Sequence, residues 1–237
     1  MTDINHLGMA IGDSVPNWAA PKRPDQRILS GKYCRVEPLD LDRHSEALFN
    51  ANRLDKEGRI WVYMPYGPFD SLDSYRDWMN QTCFNDDPFF YSIVDCQTDN
   101  ALGVASYLRI DPGNGSIEVG HINYSPLLQK SIAATEAMYL LMKNAFDMGY
   151  RRYEWKCNSL NEGSCSAARR LGFHYEGSFR QASVVKGRNR DTSWFSIIDS
   201  EWPKLDLAFQ SWLNERNFDA DGKQLQSLSN LTKTALS

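Results

Sequence analysis

At 237 residues the chain is long enough for one large domain or two small ones. Hydrophobic residues at 42% and aromatics at 12% supply a proper core and exclude a disordered composition. A formal net charge of −4 argues against a non-specific nucleic-acid binder, which carries a basic surplus, while leaving room for a local basic groove.

Residues 1–30 are polar and broken by Pro16, Pro21 and Pro24, which predicts an irregular N-terminal arm. Tyr33–Pro38 reads as a short strand, and Asp42–Asn52 as a helix with Leu41, Leu48 and Phe49 facing inward. The stretch WVYMPYGPFDS (61–71) is an aromatic loop punctuated by Pro and Gly. The helix SLDSYRDWMNQT follows it, with Ser71 as N-cap. Pro88–Cys96 and Leu102–Arg109 read as neighbouring strands around the polar turn QTDN. The turn DPGNGS (111–116) is the strongest hairpin signal in the chain and leads into the strand Ile117–Tyr124.

Residues 132–148 carry Ala134, Ala137, Met138, Leu141, Ala145 and Met148 at helical spacing, and Gly149 marks the stop. A strand at Tyr153–Asn158 and a short helix at 161–172 come next. Two strands then flank KGRNRD (186–191), read as a solvated turn, with the steering of an anionic group as the alternative. Trp202–Leu213 is an amphipathic helix, and a polar tail is expected after about residue 218. Helices between strands from 116 to 179 predict an α/β architecture with a mixed sheet.

Five cysteines (Cys34, Cys83, Cys96, Cys157, Cys165) are scattered, without a C-x-x-C pair or a His/Cys cluster at ligand spacing. That pattern speaks against a metal site and for reduced thiols. No basic-then-apolar leader is visible, and the longest apolar run, 137–142, is far too short to span a membrane. The expectation is a cytoplasmic protein with neither a nucleic-acid nor a membrane partner.

Four pieces stand in order: the strand IEVGHINYSP, the loop and helix start LLQKSIAATEAM, the strand RRYEWKCN, and NEGSCSAARRLGFHYEGSFR. Together they resemble the GNAT superfamily of acetyl-CoA-dependent N-acetyltransferases, and most closely the branch of ribosomal-protein-alanine acetyltransferases. Glu118 and Gly120, ATEA (134–137), Asn161 with Ser164, and RLGFHYEGSFR (170–180) carry the likeness, which covers about residues 31–203. GRNRDTSWFSIIDSEW (187–202) is similar to the closing segment of one subgroup. The resemblance implies a GNAT fold: a mixed, mostly antiparallel central sheet flanked by helices and splayed at the acetyl-CoA site. It would occupy 31–203, after an arm at 1–30 and before a C-terminal helix and tail at 204–237.

The resemblance also assigns roles. Backbone N–H groups at a helix start favour phosphates, and the family pattern Gln/Arg-x-x-Gly-x-Gly/Ala falls on Gln129, Lys130, Ser131, Ile132, Ala133 and Ala134. Isoleucine stands at the central glycine, which is tolerable if Ile132 has helical φ, since only a positive φ demands glycine. Asn161 would touch the pantetheine arm, and the Ser164 hydroxyl would donate to the departing thiolate. Simple helix capping is the other reading of that pair. Ile122, Asn123 and Tyr124 would offer a backbone N–H to the thioester carbonyl.

Glu118 is the candidate general base, on the strand face away from Val119, with an arginine-paired structural glutamate as the alternative. His121 has a more suitable intrinsic pKa but lies on the other face by alternation. Relatives place a tyrosine acid where this chain has Arg169 and Arg170, which leaves Ser164 as the thiolate partner. Trp61, Tyr63, Met64 and Tyr66 form either a lid on the sheet or the wall of the acceptor pocket. The acceptor would be a primary amine of a small molecule or peptide, with a protein N-terminus or a non-catalytic acyl-CoA-binding module as alternatives. The arm and the tail are candidates for homodimer contacts.

Overall fold

The computed structural model describes residues 3–237. The chain runs β1 (Asp3–Ile4), β2 (Ala10–Ile11), β3 (Leu29–Ser30), β4 (Cys34–Pro38), α1 (Leu41–Asn52) and α2 (Leu72–Thr82). It continues through β5 (Phe89–Asp95), β6 (Ala101–Asp111), β7 (Ser116–Tyr124), α3 (Ile132–Asp147), β8 (Arg152–Asn158) and α4 (Glu162–Arg170). It closes with β9 (His174–Val185), β10 (Arg188–Ile198), α5 (Trp202–Leu213) and α6 (Leu228–Leu236). Strands β3 to β10 form one sheet in the order β3-β4-β5-β6-β7-β8-β10-β9. Every neighbouring pair is antiparallel except β7 and β8, so the mixed, mostly antiparallel sheet expected from the sequence is present.

The parallel pair follows from its connection. A right-handed crossover through α3 is the ordinary way to bring two sequential strands side by side in the same direction. Helix α3 starts where Ser131 caps it, its hydroxyl accepting from Ala134 N–H at 3.0 Å, and stops before Gly149, whose φ is +96°. Its Ala137, Leu141, Met142 and Ala145 are fully buried in the larger core, together with Ile117 and Val119 of β7, Tyr153 of β8, Leu205 and Phe209 of α5 and Leu228 of α6. Burying each large apolar side chain contributes about 1.5–3 kcal/mol. The opposite face of the sheet carries a second core, where Leu48, Phe49, Tyr75 and Met79 of α1 and α2 pack on Phe90, Val94 and Val104.

The glutamate of the ATEA motif serves the frame. Glu136 is buried, and its carboxylate accepts from the backbone N–H groups of Lys32 (2.8 Å), Tyr33 (2.7 Å) and Cys34 (2.8 Å). This ties α3 to the β3–β4 turn. A Cβ at Gly31 would lie 2.4 Å from the Glu136 carboxyl carbon, so the turn needs glycine there.

Three expectations are corrected. The polar tail after 218 contains α6, capped by Ser227, whose Leu228 and Thr232 are buried because they recur on one helical face. The irregular arm contains β1, β2 and β3, and β3 joins the main sheet. The turn read at 186–191 is confined to Lys186 and Gly187, since Arg188 already pairs with Val185.

Candidate active site

The site begins where two strands part. β7 and β8 pair from Ser116–Arg152 to Val119–Trp155, and the ladder ends there. Beyond Val119, β7 is held only by β6, so its other edge faces a gap. A bulge deepens the departure: Ser106 faces Gly120 and Val104 faces Asn123, so His121 and Ile122 together oppose Ala105 alone. His121 takes φ +49°. An extra residue of this kind bends the strand and re-aims its side chains. A Cβ at Gly120 would meet a Leu108 methyl at 2.9 Å, which makes glycine the fitting residue at the bend.

Two cavities open on either side of this gap, and Trp155 borders both. The larger, about 630 Å³, is lined by Tyr124, Gln129, Lys130, Ser131, Ile132 and Ala134 along the start of α3. Gly163, Ala167 and Arg170 of α4 form another wall, and Trp212, Phe218, Gly222 and Gln224 close it from the C-terminal segment. The backbone N–H groups of Lys130, Ile132 and Ala133 have no hydrogen-bond partner among the described residues, as expected for donors at a helix start. Ile132 is the first helical residue and does not have positive φ; Lys130 does, at +60°. The glycine-free sequence therefore builds an ordinary helix start.

Arg170 extends the same wall. Its guanidinium donates to Thr135 Oγ1 at 3.1 Å in the first turn of α3 and lies 5.0 Å from the Trp212 ring centre. No carboxylate lies within ion-pair distance of it among the described residues, and burial pulls its pKa down. A half-buried cation beside unpaired N–H groups makes this end of the cavity attractive to an anion.

The smaller cavity, about 250 Å³, holds Glu118, His121, Ile122, Asn161 and Ser164 together with Tyr63 and Met64 of the aromatic loop. Glu118 is buried and its carboxylate accepts from Arg109 Nη1 at 2.7 Å and from Lys156 Nζ at 2.9 Å. Burial raises its pKa, and the Lys156 and Arg109 charges oppose that rise without cancelling it. Lys156 also pairs with Glu154 at 2.7 Å and sits 3.6 Å over the Trp194 ring. The expected arginine partner of Glu118 is thus present, with a lysine beside it.

His121 lines the same cavity as Glu118. The alternation that put it on the other face fails at the bulge. Its Nδ1 is 3.1 Å from the Tyr66 hydroxyl, its ring stacks on Tyr66 at 5.7 Å, and burial lowers its pKa to about 4.

The remaining sequence-predicted residues divide. Asn161 caps α4, its Oδ1 accepting from Ser164 N–H at 3.1 Å, so the capping reading holds while both residues also line the cavity. Ser164 Oγ accepts from the Trp155 indole at 3.0 Å. Tyr124 and Gln129 line the larger cavity and are linked by Gln129 Nε2 donating to the Tyr124 carbonyl at 2.9 Å. The side chains of Asn123 and Ala133 are buried and reach neither cavity. Trp61 is core, edge-on to Phe69 at 5.4 Å, and Tyr66 meets the site only through His121. Trp61 and Tyr66 therefore support the wall that Tyr63 and Met64 form.

Sequence reasoning missed Arg170, Trp155, the C-terminal wall and Lys186. The Lys186 ammonium donates to the carbonyls of Trp61 (3.0 Å), Tyr66 (3.1 Å) and Gly67 (2.8 Å). Cys157, also in the smaller cavity, has its thiol pushed up to about 12 by burial and is a poor nucleophile. Among the described residues no group of three potential metal ligands occurs, and no helix is long and apolar enough to cross a membrane.

Comparison with known proteins agrees with this geometry. A GCN5-related N-acetyltransferase from Brucella melitensis superposes with a TM-score of 0.90 at 41% identity, covering 92% of this chain and all of that one. The uncharacterized N-acetyltransferase p20 of Bacillus licheniformis is 27% identical over 60% of this chain and 82% of its own. The putative ribosomal N-acetyltransferase YdaF of Bacillus subtilis is 28% identical over 70% of this chain and 90% of its own, in keeping with the branch that the motifs resemble. Residues 35–174 match the acetyltransferase (GNAT) domain, and with the split strands and the start of α3 in place, the chain belongs to that family of acyl-transferring enzymes.

Proposed function

We propose that the protein transfers an acetyl group from acetyl-CoA directly to a primary amine of a small molecule or peptide. The observation that carries this reading is the pair of cavities meeting at Trp155, one suited to a phosphorylated donor and the other to an amine. The residues fit the donor: the N–H groups of Lys130, Ile132 and Ala133, with Arg170, would hold its phosphates, and the free edge of β7 at 122–124 would meet its thioester end. When bound, acetyl-CoA supplies an acetyl group already activated as a thioester.

The remaining chemistry belongs to the chain. Glu118 accepts the proton that the amine must lose, directly or through water. Ser164 Oγ, which already accepts from Trp155, keeps its O–H free to donate a hydrogen bond to the departing thiolate, which takes up the second proton released by the amine nitrogen. A Cys157 thiol held protonated supports transfer without an acylated enzyme. Tyr63 and Met64 contact the acceptor, and Trp61 and Tyr66 hold them in place.

Thermal-shift titration with acetyl-CoA and a thiol-release assay over an amine panel test the reading. A stabilising shift with amine-dependent thiol release is expected. A shift without turnover would leave only an acyl-CoA-binding module, and no shift would end both. The name of the Bacillus subtilis relative favours a second reading, a polypeptide N-terminus as acceptor. Peptides that outperform every small amine in the same assay would select it.

A further inference from the structure

The charges of the smaller cavity specify its acceptor more narrowly, granted the acetyl-transfer reading above. Three cationic side chains, Arg109, Lys156 and Arg190, and one anionic side chain, Glu118, line it. Two of the cations are already matched. Lys156 is held between Glu118 and Glu154, and Arg109 pairs with Glu118.

Arg190 is different. Among the described residues its one side-chain hydrogen bond is from Nε to Thr192 Oγ1 at 3.3 Å, and no carboxylate lies within ion-pair distance of it. The neighbouring Asp191 is engaged elsewhere, accepting from Gln181 N–H at 2.7 Å and Asn189 Nδ2 at 2.9 Å. Arg190 also faces His121 and Cys157 across the cavity: after burial and Arg109 it adds to the lowering of the His121 pKa, and it opposes the burial-driven rise of the Cys157 pKa. His121, whose pKa burial lowers, offers no negative charge that could pair with Arg190. A guanidinium without a partner in a small, partly enclosed cavity is a ready receptor for a carboxylate or phosphate, which it grips with two parallel hydrogen bonds.

We infer that the acceptor is a small amine bearing an anionic group, a carboxylate or a phosphate, which Arg190 binds while the amine is presented to Glu118. A neutral amine lacks this anchor, and a diamine places a second positive charge against Arg190 and Arg109.

The test compares thiol release from acetyl-CoA with four acceptors of similar size: an α-amino acid, its amide, a phosphorylated aminoalcohol and a diamine. The expected kcat/KM is about 10-fold or more higher for the anionic acceptors than for the amide, and lowest for the diamine. The amino acid and the phosphorylated compound distinguish carboxylate from phosphate. Arg190→Gln should collapse the preference by raising KM for the anionic acceptor, and Arg190→Lys should restore part of it. Equal or better use of the amide or diamine overturns the inference and leaves acetyl transfer standing. An Arg190→Gln variant that keeps the full preference also overturns it. No thiol release with any amine would overturn both readings.

Discussion

The Lys186 ammonium, at the tip of the β9–β10 hairpin, donates to the Gly67 carbonyl at 2.8 Å across 119 residues of sequence. With its bonds to the Trp61 and Tyr66 carbonyls it clamps the loop whose Tyr63 and Met64 line the smaller cavity. Lys186→Met should therefore loosen that wall. The expected result is a several-fold rise in KM for the amine with KM for acetyl-CoA unchanged, read from steady-state kinetics at varied concentrations of each substrate.

Glu118→Gln removes the proposed proton acceptor and keeps the side chain's shape. Its kcat should fall by about 10²- to 10⁴-fold, with acetyl-CoA affinity nearly unchanged. Full activity in the variant would retire Glu118 as base.

Lys156→Met addresses the same carboxylate through its field. Lys156 favours the ionised form of Glu118 against the burial that opposes it, so removing it raises the Glu118 pKa further. Because the base must be unprotonated to work, the acid limb of the pH profile of kcat/KM should move upward by about 1 pH unit or more.

Arg170→Leu removes the cation at the start of α3 and keeps apolar contact with Trp212. Acetyl-CoA binding should weaken by about 10- to 100-fold, the range for a hydrogen bond to a charged group. Binding of acetyl-pantetheine, which lacks the phosphates, should not change. Calorimetric titration of both ligands measures the contrast.

His121 yields a stability prediction. Folded, it titrates near pH 4; free in the unfolded chain, near 6.5. Between those values the unfolded chain binds a proton that the folded one does not, so its contribution is complete above about pH 6.5 and is lost as pH falls toward 4. His121→Asn keeps a residue that tolerates positive φ and removes the titration. Its Tm should fall less than the wild-type Tm across this window, while buried His44 contributes the same slope to both proteins.

Much of the frame was legible because local rules set it. Ser71 and Asn161 stand where caps are needed, Gly149 stops α3, and the apolar spacing of Trp202–Leu213 matches α5 as observed. The helix start at Ser131 and Ile132 was legible, and its unpaired N–H groups follow from the backbone rather than from any side chain. What escaped depends on contacts distant in sequence. The bulge at His121 is imposed by β6 and breaks the period of two on which the facing argument rested. The contacts that give Arg170 its place, with Thr135 of α3 and the Trp212 ring, lie 35 or more residues away in sequence. Lys186 reads as a solvated turn until residues 61–67 are placed beneath it.

The wall that Trp212, Phe218, Gly222 and Gln224 contribute to the larger cavity is translated after every other residue that lines it. A nascent chain whose sheet and α3 have already folded still lacks this side of the chamber, and its start-of-helix N–H groups and Arg170 open to solvent. A phosphorylated donor at that cavity would therefore meet a complete wall only after residues 212–224 have been made and have docked.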